Sequence, residues 1–223
     1  MRDGDCPKKC PAHQGSLGAT PTLRITQLCN SADGLCHPST AAFSSAAAAA
    51  DAIIRSHSNG SDITSFDDAK TGLHTSVLYT CCHSVMELGK LRVALRSLRW
   101  SSFWVNYSDA GCNLDMHGSG VVYLHGMPDA AGQAHFFNLT TAMNDAMRAA
   151  GIPVHHPRAS KFHMTLARVS RGYDADAAVA AIRSQVFARA GLQLLMCRFE
   201  LLGEIFEAEG GCSVQPVAVA GSL

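Results

Sequence analysis

The order of strand-like and helix-like segments between Gly72 and Phe206 restricts most strongly how this 223-residue chain can fold. The pattern predicts a strand and a helix, then two strands and a helix, then a strand and a helix, and finally an apolar strand or bent pair of strands. Such a mixed order with several hairpins favours helices packed on sheets, the α+β class, over a doubly wound parallel sheet. We therefore predict one compact unit over residues 66–208.

The periodicity of apolar residues places the individual elements. Residues 73–81 have the β-branched and aromatic content of a strand, and Ser84 with Glu87 forms the capping-box pattern that begins a helix. Apolar residues then recur at steps of three and four, which predicts an amphipathic helix lying on a sheet. These residues are Val85, Leu88, Leu91, Leu95 and Leu98.

The remaining elements follow from the same rules. Strand-like residues at 102–108 and 120–125 flank a turn-like stretch, and they predict a β-hairpin. Pro128 and Asp129 begin a helix that Gly151 ends, and Asp174 or Asp176 caps a third helix. We further predict a strand at 161–170 and the last strand or pair of strands at 193–206.

Residues 1–65 are rich in Gly, Pro, Ser, Ala and Cys, and we interpret them as an N-terminal extension. Their alanine-rich stretch near 41–55 predicts one helix, and residues 209–223 form a C-terminal tail. Four of the nine cysteines lie at positions 6, 10, 29 and 36, with His37 beside the last. Disulfides, a zinc site and plain reduced thiols all remain open, although none of the spacings is the C-x2-C of a zinc knuckle.

The charge balance restricts the partners. Eighteen Lys and Arg residues offset eighteen Asp and Glu residues, so no overall basic field exists to hold a long nucleic-acid duplex. No apolar run reaches the roughly 18 residues of a membrane helix, and the N-terminus lacks the apolar core of a secretory signal. We expect a cytoplasmic monomer as the chain stands, and secretion stays open as an alternative for a cropped N-terminus.

Two segments share a pattern in which a histidine is followed, two positions later, by a residue with a hydroxyl group. LHTSVL at 73–78 and FHMTLA at 162–167 both read apolar, His, any residue, hydroxyl, apolar, apolar. Residues i and i+2 of a strand point to the same face, so each segment directs an imidazole and a hydroxyl into one space. His37 and His117 also precede a serine by two positions, but their surroundings are loop-like.

Two imidazoles and two hydroxyls suit the cleavage of a phosphodiester through or from a 2′,3′-cyclic phosphate. One neutral histidine accepts a proton from water or a ribose hydroxyl, and a protonated one donates to the departing oxygen. Hydroxyls and backbone N–H groups can stabilise the charge that develops on the phosphoryl oxygens. Neither a metal nor a cofactor is required.

These paired motifs, and above all FHMTLARV at 162–169, resemble the 2H phosphoesterase superfamily. The family includes bacterial RNA 2′,3′-cyclic phosphodiesterases, also called 2′-5′ RNA ligases, and eukaryotic relatives. The resemblance covers roughly residues 70–207. It implies a bilobal α+β fold with two antiparallel-rich sheets, outer helices and a central cleft, to which each lobe contributes one motif.

The resemblance also implies roles for single residues. His74 and His163 are the implied catalytic pair, and Ser76 and Thr165 the implied phosphate ligands. Ser76 stands where threonine is commoner in the family, which keeps the hydroxyl, and the cysteine-rich extension has no counterpart in the minimal fold. The motifs are nearly symmetric, so the acid and the base stay unassigned.

Four further residues are candidate substrate contacts. Tyr79 and Tyr123 can stack on a nucleobase, and Lys161 and Arg168 can bind phosphate. Arg168 lies five residues beyond His163, so strand alternation points it away from the cleft unless a bulge intervenes.

The function implied is a metal-independent phosphodiesterase that acts on a 2′,3′-cyclic phosphate, or a related phosphodiester, of a nucleotide or RNA end. A 2′-5′ oligonucleotide phosphodiesterase is one alternative, since the same centre would need only a different base pocket. The other is a non-catalytic nucleotide- or RNA-binding module of the same fold.

Overall fold

The computed structural model describes residues 22–26, 38–58, 60–65, 74–79, 85–152, 162–187, 192–201 and 204–212. The described residues form four helices and nine strands, and they confirm the α+β class. In chain order the elements are β1 (Thr22–Thr26), α1 (Pro38–Ser56), β2 (Ile63–Ser65), β3 (His74–Tyr79), α2 (Val85–Arg96), β4 (Phe103–Leu114), β5 (Gly120–Pro128), α3 (Ala130–Ala150), β6 (Phe162–Val169), α4 (Ala175–Gln185), β7 (Leu192–Met196), β8 (Arg198–Leu201) and β9 (Glu204–Glu207).

The strands form one antiparallel sheet that divides into two groups. The order is β7-β4-β5-β6-β3-β1-β8-β9, and β2 pairs with β6 beside this path. The first four strands and the last four meet where β6 pairs with β3, through Met164 and Thr75. The sheet curls so strongly that the Tyr107 hydroxyl of β4 lies 3.0 Å from the Thr75 hydroxyl of β3, although two strands lie between them in the sheet order.

Local signals set the helix ends. The Asp129 carboxylate accepts a hydrogen bond from the Gly132 N–H at 2.6 Å and caps the start of α3. Gly151 ends this helix in the left-handed conformation, with φ at 84°, which glycine adopts without steric cost. Asp174 caps α4 in the same way as Asp129 caps α3. Asp129 and Gly151 lie where they were predicted, and of the two candidates Asp174 and Asp176 it is Asp174 that caps α4.

The core lies between one face of the sheet and the helices. Phe162 of β6 packs on Phe136 of α3, with their ring centroids 4.4 Å apart, and Tyr107 of β4 packs edge-on against Phe43 of α1 at 5.2 Å. Helix α1 lies in the segment interpreted as an extension, yet it contributes five buried residues to the same core. These are Phe43, Ala47, Ala50, Ile53 and Ile54.

Helix α2 also differs from expectation at one end. Leu88, Leu91 and Leu95 are buried, as predicted, whereas Val85 is 61% exposed. Val85 is the first residue of the helix, so the apolar stripe meets the core only from the second turn onward. None of the described helices is both long and apolar enough to cross a membrane.

A disulfide lies at the C-terminal end of the fold. Cys197, which follows β7, forms a disulfide with Cys212, which follows β9. Cys112 of β4 is a free thiol. The other six cysteines (6, 10, 29, 36, 81 and 82) lie outside the described residues, so the alternatives for the N-terminal cluster stay open.

Candidate functional site

Strand β6 presents the second sequence motif. Phe162 and Met164 are buried in the core, whereas His163 and Thr165 are only partly buried. Because neighbouring residues of a strand alternate between its faces, His163 and Thr165 share the face opposite the core. This is the arrangement that the His-x-Thr spacing predicts.

Strand β5 brings two more side chains to this face. Tyr123 pairs with Thr165 and His125 pairs with His163 in the antiparallel ladder. The rings of Tyr123 and His163 meet edge to face, with their centroids 5.8 Å apart. The structure therefore places the candidate contact Tyr123 directly against His163.

Sequence reasoning missed His125. No hydroxyl follows it at the second position, since the next residues are Gly126 and Met127, so it does not match the motif. Only the ladder register, which sets His125 opposite His163, identifies it as a residue of the site.

A bulge in β6 decides where Arg168 lies. Tyr123 pairs with Thr165, but Val122 pairs with Ala167, so β6 holds one extra residue at this step. Beyond the bulge Ala167 is buried and Arg168 is exposed. The bulge reverses the alternation that would otherwise point Arg168 away, and Arg168 lies on the face of His163.

A second bulge, in β4, reverses the alternation of that strand and brings Asp109 to the same face. Tyr107 pairs with Gly126 and Asp109 pairs with His125, which leaves Ser108 as the extra residue. Tyr107 is buried and Asp109 is partly exposed, on the face of His125. Asp109, His125 and His163 thus form one row across three neighbouring strands.

Arg183 of α4 holds the carboxylate of Asp109. Its Nε donates to Oδ1 at 2.6 Å and its Nη2 donates to Oδ2 at 3.3 Å, while Nη2 also donates to the Ala110 carbonyl at 2.9 Å. The hydrogen bond from Arg183 lowers the pKa of Asp109 from its ordinary value of 3.8, against an opposing effect of burial. Asp109 is therefore a fixed anion near neutral pH.

The absence of a side chain at Gly111 makes room for Tyr123. A Cβ atom at Gly111 would lie 2.8 Å from the Tyr123 hydroxyl oxygen and 2.9 Å from Cζ, closer than such atoms approach. The ring of Tyr123 therefore spans from the backbone of Gly111 on one side to the imidazole of His163 on the other.

The first motif lies on β3, the strand beside β6. The structure describes the backbone of His74, Ser76 and Tyr79 in this strand, but their side chains lie outside the described residues, as does Lys161 altogether. The two motif-bearing strands are direct neighbours, and their recorded pair is Thr75 with Met164.

Among the described residues near the site there is neither a metal-binding cluster nor an ionised thiol. Within the described ranges, no three His, Cys, Asp or Glu side chains lie close enough to hold a metal ion. Burial raises the pKa of the Cys112 thiol above its ordinary value of 9.0, and the neighbouring Asp176 carboxylate raises it further. This thiol therefore stays protonated near neutral pH.

Comparisons with known proteins identify the fold. No family model matches the sequence, and no curated protein matches it. Among solved structures, Kluyveromyces marxianus Usb1 with uridine monophosphate has a TM-score of 0.51 at 12% identity, over 85% of this chain and 98% of that one. Escherichia coli LigT complexed with 3′-AMP has a TM-score of 0.47 at 15% identity, over 81% of this chain and 85% of that one.

At these identities the likeness concerns the fold alone. The similarity to Usb1 confirms the 2H phosphoesterase-like fold that the paired motifs led us to expect.

Proposed function

We propose that this protein is a phosphodiesterase that opens a 2′,3′-cyclic phosphate, or cleaves a related phosphodiester, on a nucleotide or RNA end. The observation that carries the proposal is the pairing of Thr75 with Met164. It makes the two His-x-Ser/Thr segments neighbours in one antiparallel ladder.

The register of this pairing supports a single site. Antiparallel continuation on either side of Thr75 and Met164 sets position 74 opposite Thr165 and position 76 opposite His163. Thr75 and Val77 are buried, so alternation assigns positions 74 and 76 to the other face of β3. That face is continuous with the one that carries His163 and Thr165.

The chemistry needs two imidazoles in opposite protonation states. One neutral histidine of the pair His74 and His163 removes a proton from water as the water oxygen attacks phosphorus. The other, protonated, histidine donates its proton to the ribose oxygen as the bond from phosphorus to that oxygen breaks. The product is a nucleoside or RNA 2′- or 3′-monophosphate, and every proton is accounted for by the two histidines without a metal.

The remaining groups would bind the substrate. The hydroxyls of Ser76 and Thr165 are placed in our proposal as donors to the non-bridging oxygens, where negative charge develops. Arg168, brought to this face by the bulge, supplies a guanidinium for a neighbouring phosphate. Usb1, whose fold this chain shares, was solved with uridine monophosphate, which favours a nucleotide-sized ligand here as well.

Hydrolysis of the four nucleoside 2′,3′-cyclic monophosphates in EDTA tests the proposal. The variants are His74→Ala, His163→Ala and, as a matched control, His135→Ala on the exposed surface of α3. We expect the parent and the control to turn over at least one substrate. Each site variant should lose about a hundredfold or more in kcat, the usual contribution of a general acid or base.

The pattern of loss separates the alternatives. Hydrolysis that persists in His163→Ala would contradict the two-histidine mechanism. If the parent cleaves only 2′-5′-linked oligoadenylate, the same centre acts on a longer substrate. If it binds uridine monophosphate but cleaves neither class, it is the non-catalytic binding module.

A further inference from the structure

We propose that His125 is a positioning residue for His163, whose ring it supports across the ladder and from whose protonated form its Nε2 atom accepts a hydrogen bond. This role deepens the proposed function, on which its catalytic consequence rests. Neither the motif pattern nor the fold comparison points to His125.

Strand pairing places the two histidines side by side. His125 and His163 are direct partners on neighbouring strands, and both are partly buried on the face opposite the core. The Cβ atoms of such partners lie about 5 Å apart, a separation that two imidazole side chains on one face can bridge. No other described histidine is a ladder partner of His163.

One ring nitrogen of His125 is an unused hydrogen-bonding group. The Nε2 atom of His125 has no contact with solvent, and within the described part of the chain it has no hydrogen-bond partner. A buried polar atom without a partner costs free energy and is uncommon, so its retention calls for an explanation. A hydrogen bond formed when His163 carries its proton provides one.

The groups on the side of His125 that faces away from His163 support a hydrogen bond that His163 donates and His125 accepts. Asp109 is the ladder partner of His125 on β4, and Arg183 holds the Asp109 carboxylate in place. An anion on one side of an imidazole increases the electron density at the ring, which makes the lone pair a better acceptor. In this proposal the Asp109 carboxylate strengthens His125 as an acceptor, and His125 in turn stabilises the protonated form of His163.

Other charged and titratable groups also face this row. Tyr123 lies on β5 against the ring of His163, Arg168 lies on β6 beyond the bulge, and Arg183 approaches from α4. His74 belongs to the adjacent strand β3. All of these groups are unchanged by substitution of His125, so a difference between the parent and a His125 variant isolates the contribution of that residue.

The test follows the titration of His163 directly by NMR of the histidine Cε1–H signals, with the His163 signal assigned by its loss in His163→Gln. His125→Phe keeps a planar ring without nitrogen atoms, and His125→Asn is a second variant in case the phenylalanine variant fails to fold. His125→Gln restores a polar group of similar reach. The matched control is His135→Phe on the exposed side of α3.

We expect the His163 titration midpoint to fall by about half a pH unit or more in His125→Phe and His125→Asn, because the protonated ring loses its acceptor. His125→Gln should recover most of this shift, and His135→Phe should show none. In assays, kcat should fall and its pH profile should shift in the same direction, while KM stays within about twofold of the parent.

Two outcomes would overturn the proposal. One is a His163 midpoint in folded His125→Phe or His125→Asn that matches the His135→Phe control, and the other is an upward shift. Because NMR needs no turnover, this result is independent of the assay. A parent without hydrolysis contradicts the proposed function, whereas an unmoved midpoint with active parent protein contradicts only the role of His125.

Discussion

The hydroxyl of Thr75 in β3 and the phenol oxygen of Tyr107 in β4 lie 3.0 Å apart in the core, and both residues are buried. This hydrogen bond spans the two groups of strands whose junction, at β6 and β3, carries the proposed catalytic motifs. It connects one strand of each group within the low-dielectric interior, where an unpaired hydroxyl is costly.

Removal of either hydroxyl should therefore destabilise the protein. We expect Tyr107→Phe and Thr75→Val each to lower the free energy of unfolding by about 1–3 kcal/mol, because each leaves a buried hydroxyl without this partner. The double variant should lose less than the sum of the two, and urea denaturation measures all three. Strict additivity would show that the two hydroxyls do not interact.

Two glycines should respond in opposite ways to alanine. A methyl group at Gly111 would collide with the ring of Tyr123, so Gly111→Ala should cost about 1–3 kcal/mol of stability and displace that ring from His163. Gly89, exposed on α2, is the matched control because a Cβ atom there would meet nothing within 4 Å, and Gly89→Ala should stabilise by about 0.5–1 kcal/mol. Thermal denaturation and hydrolysis assays measure both effects. Equal behaviour of the two variants would refute the role of Gly111.

Arg168 should contribute to substrate binding rather than to the chemical step. If it contacts phosphate, Arg168→Gln should raise KM about tenfold with a smaller change in kcat, since one charge-assisted hydrogen bond is lost from the bound state. Arg171→Gln, at an exposed position just beyond β6, is the control and should leave both parameters unchanged. Steady-state kinetics on the best cyclic nucleotide decides, and identical KM values for both variants would argue against the contact.

The ion pair of Asp109 and Arg183 should stabilise the fold in a pH-dependent way. The pKa of Asp109 is lowered in the folded state, so its contribution is complete above its ordinary value of 3.8 and is lost as pH falls through the lower, folded value. Both side chains are about half exposed, at 45% and 54%, so screening limits the contribution to about 0.5 kcal/mol.

We therefore expect Asp109→Asn to be less stable than the parent by about this amount at pH 7, and the gap to be smaller at pH 3, which lies below the ordinary value of 3.8. Chemical denaturation at the two pH values tests this. Asp145→Asn, which removes an exposed pair within α3, controls for the loss of a surface charge. A stability difference between the parent and Asp109→Asn that grows on acidification would contradict this prediction.

The disulfide should stabilise the C-terminal strands. Cys197 and Cys212 close a loop of 15 residues around β8 and β9, and a loop of this size contributes about 3 kcal/mol in the chain-entropy model. The double variant Cys197→Ser, Cys212→Ser should lose about that much, and a reducing agent should destabilise the parent but not the variant. Cys112→Ser should change stability by less than about 1 kcal/mol. Insensitivity of the parent to reduction would contradict the bridge.

Local patterns in the sequence predicted much of the fold. The three-to-four-residue apolar repeat located α2, and Asp129, Gly151 and Asp174 marked helix ends, because helix propensity and capping depend on neighbours along the chain. Strand alternation likewise predicted that His163 and Thr165 share one face. These features need no knowledge of distant residues.

Other features depended on partners far away in sequence. The junction between β3 and β6, and the place of α1 in the core, follow from pairing and packing between segments that no local pattern connects. His125 carries no motif of its own, and only its register opposite His163 brings it to the candidate site.

What the sequence determined by itself is therefore the set of elements and the two motifs, since periodicity and capping are properties of short segments. What only the tertiary structure decided is which side chains meet. The bulges that bring Asp109 and Arg168 to the face of His163 appear only when two strands are paired and one has a residue too many. A single extra residue reverses the alternation of everything beyond it, and that residue cannot be recognised from one strand alone.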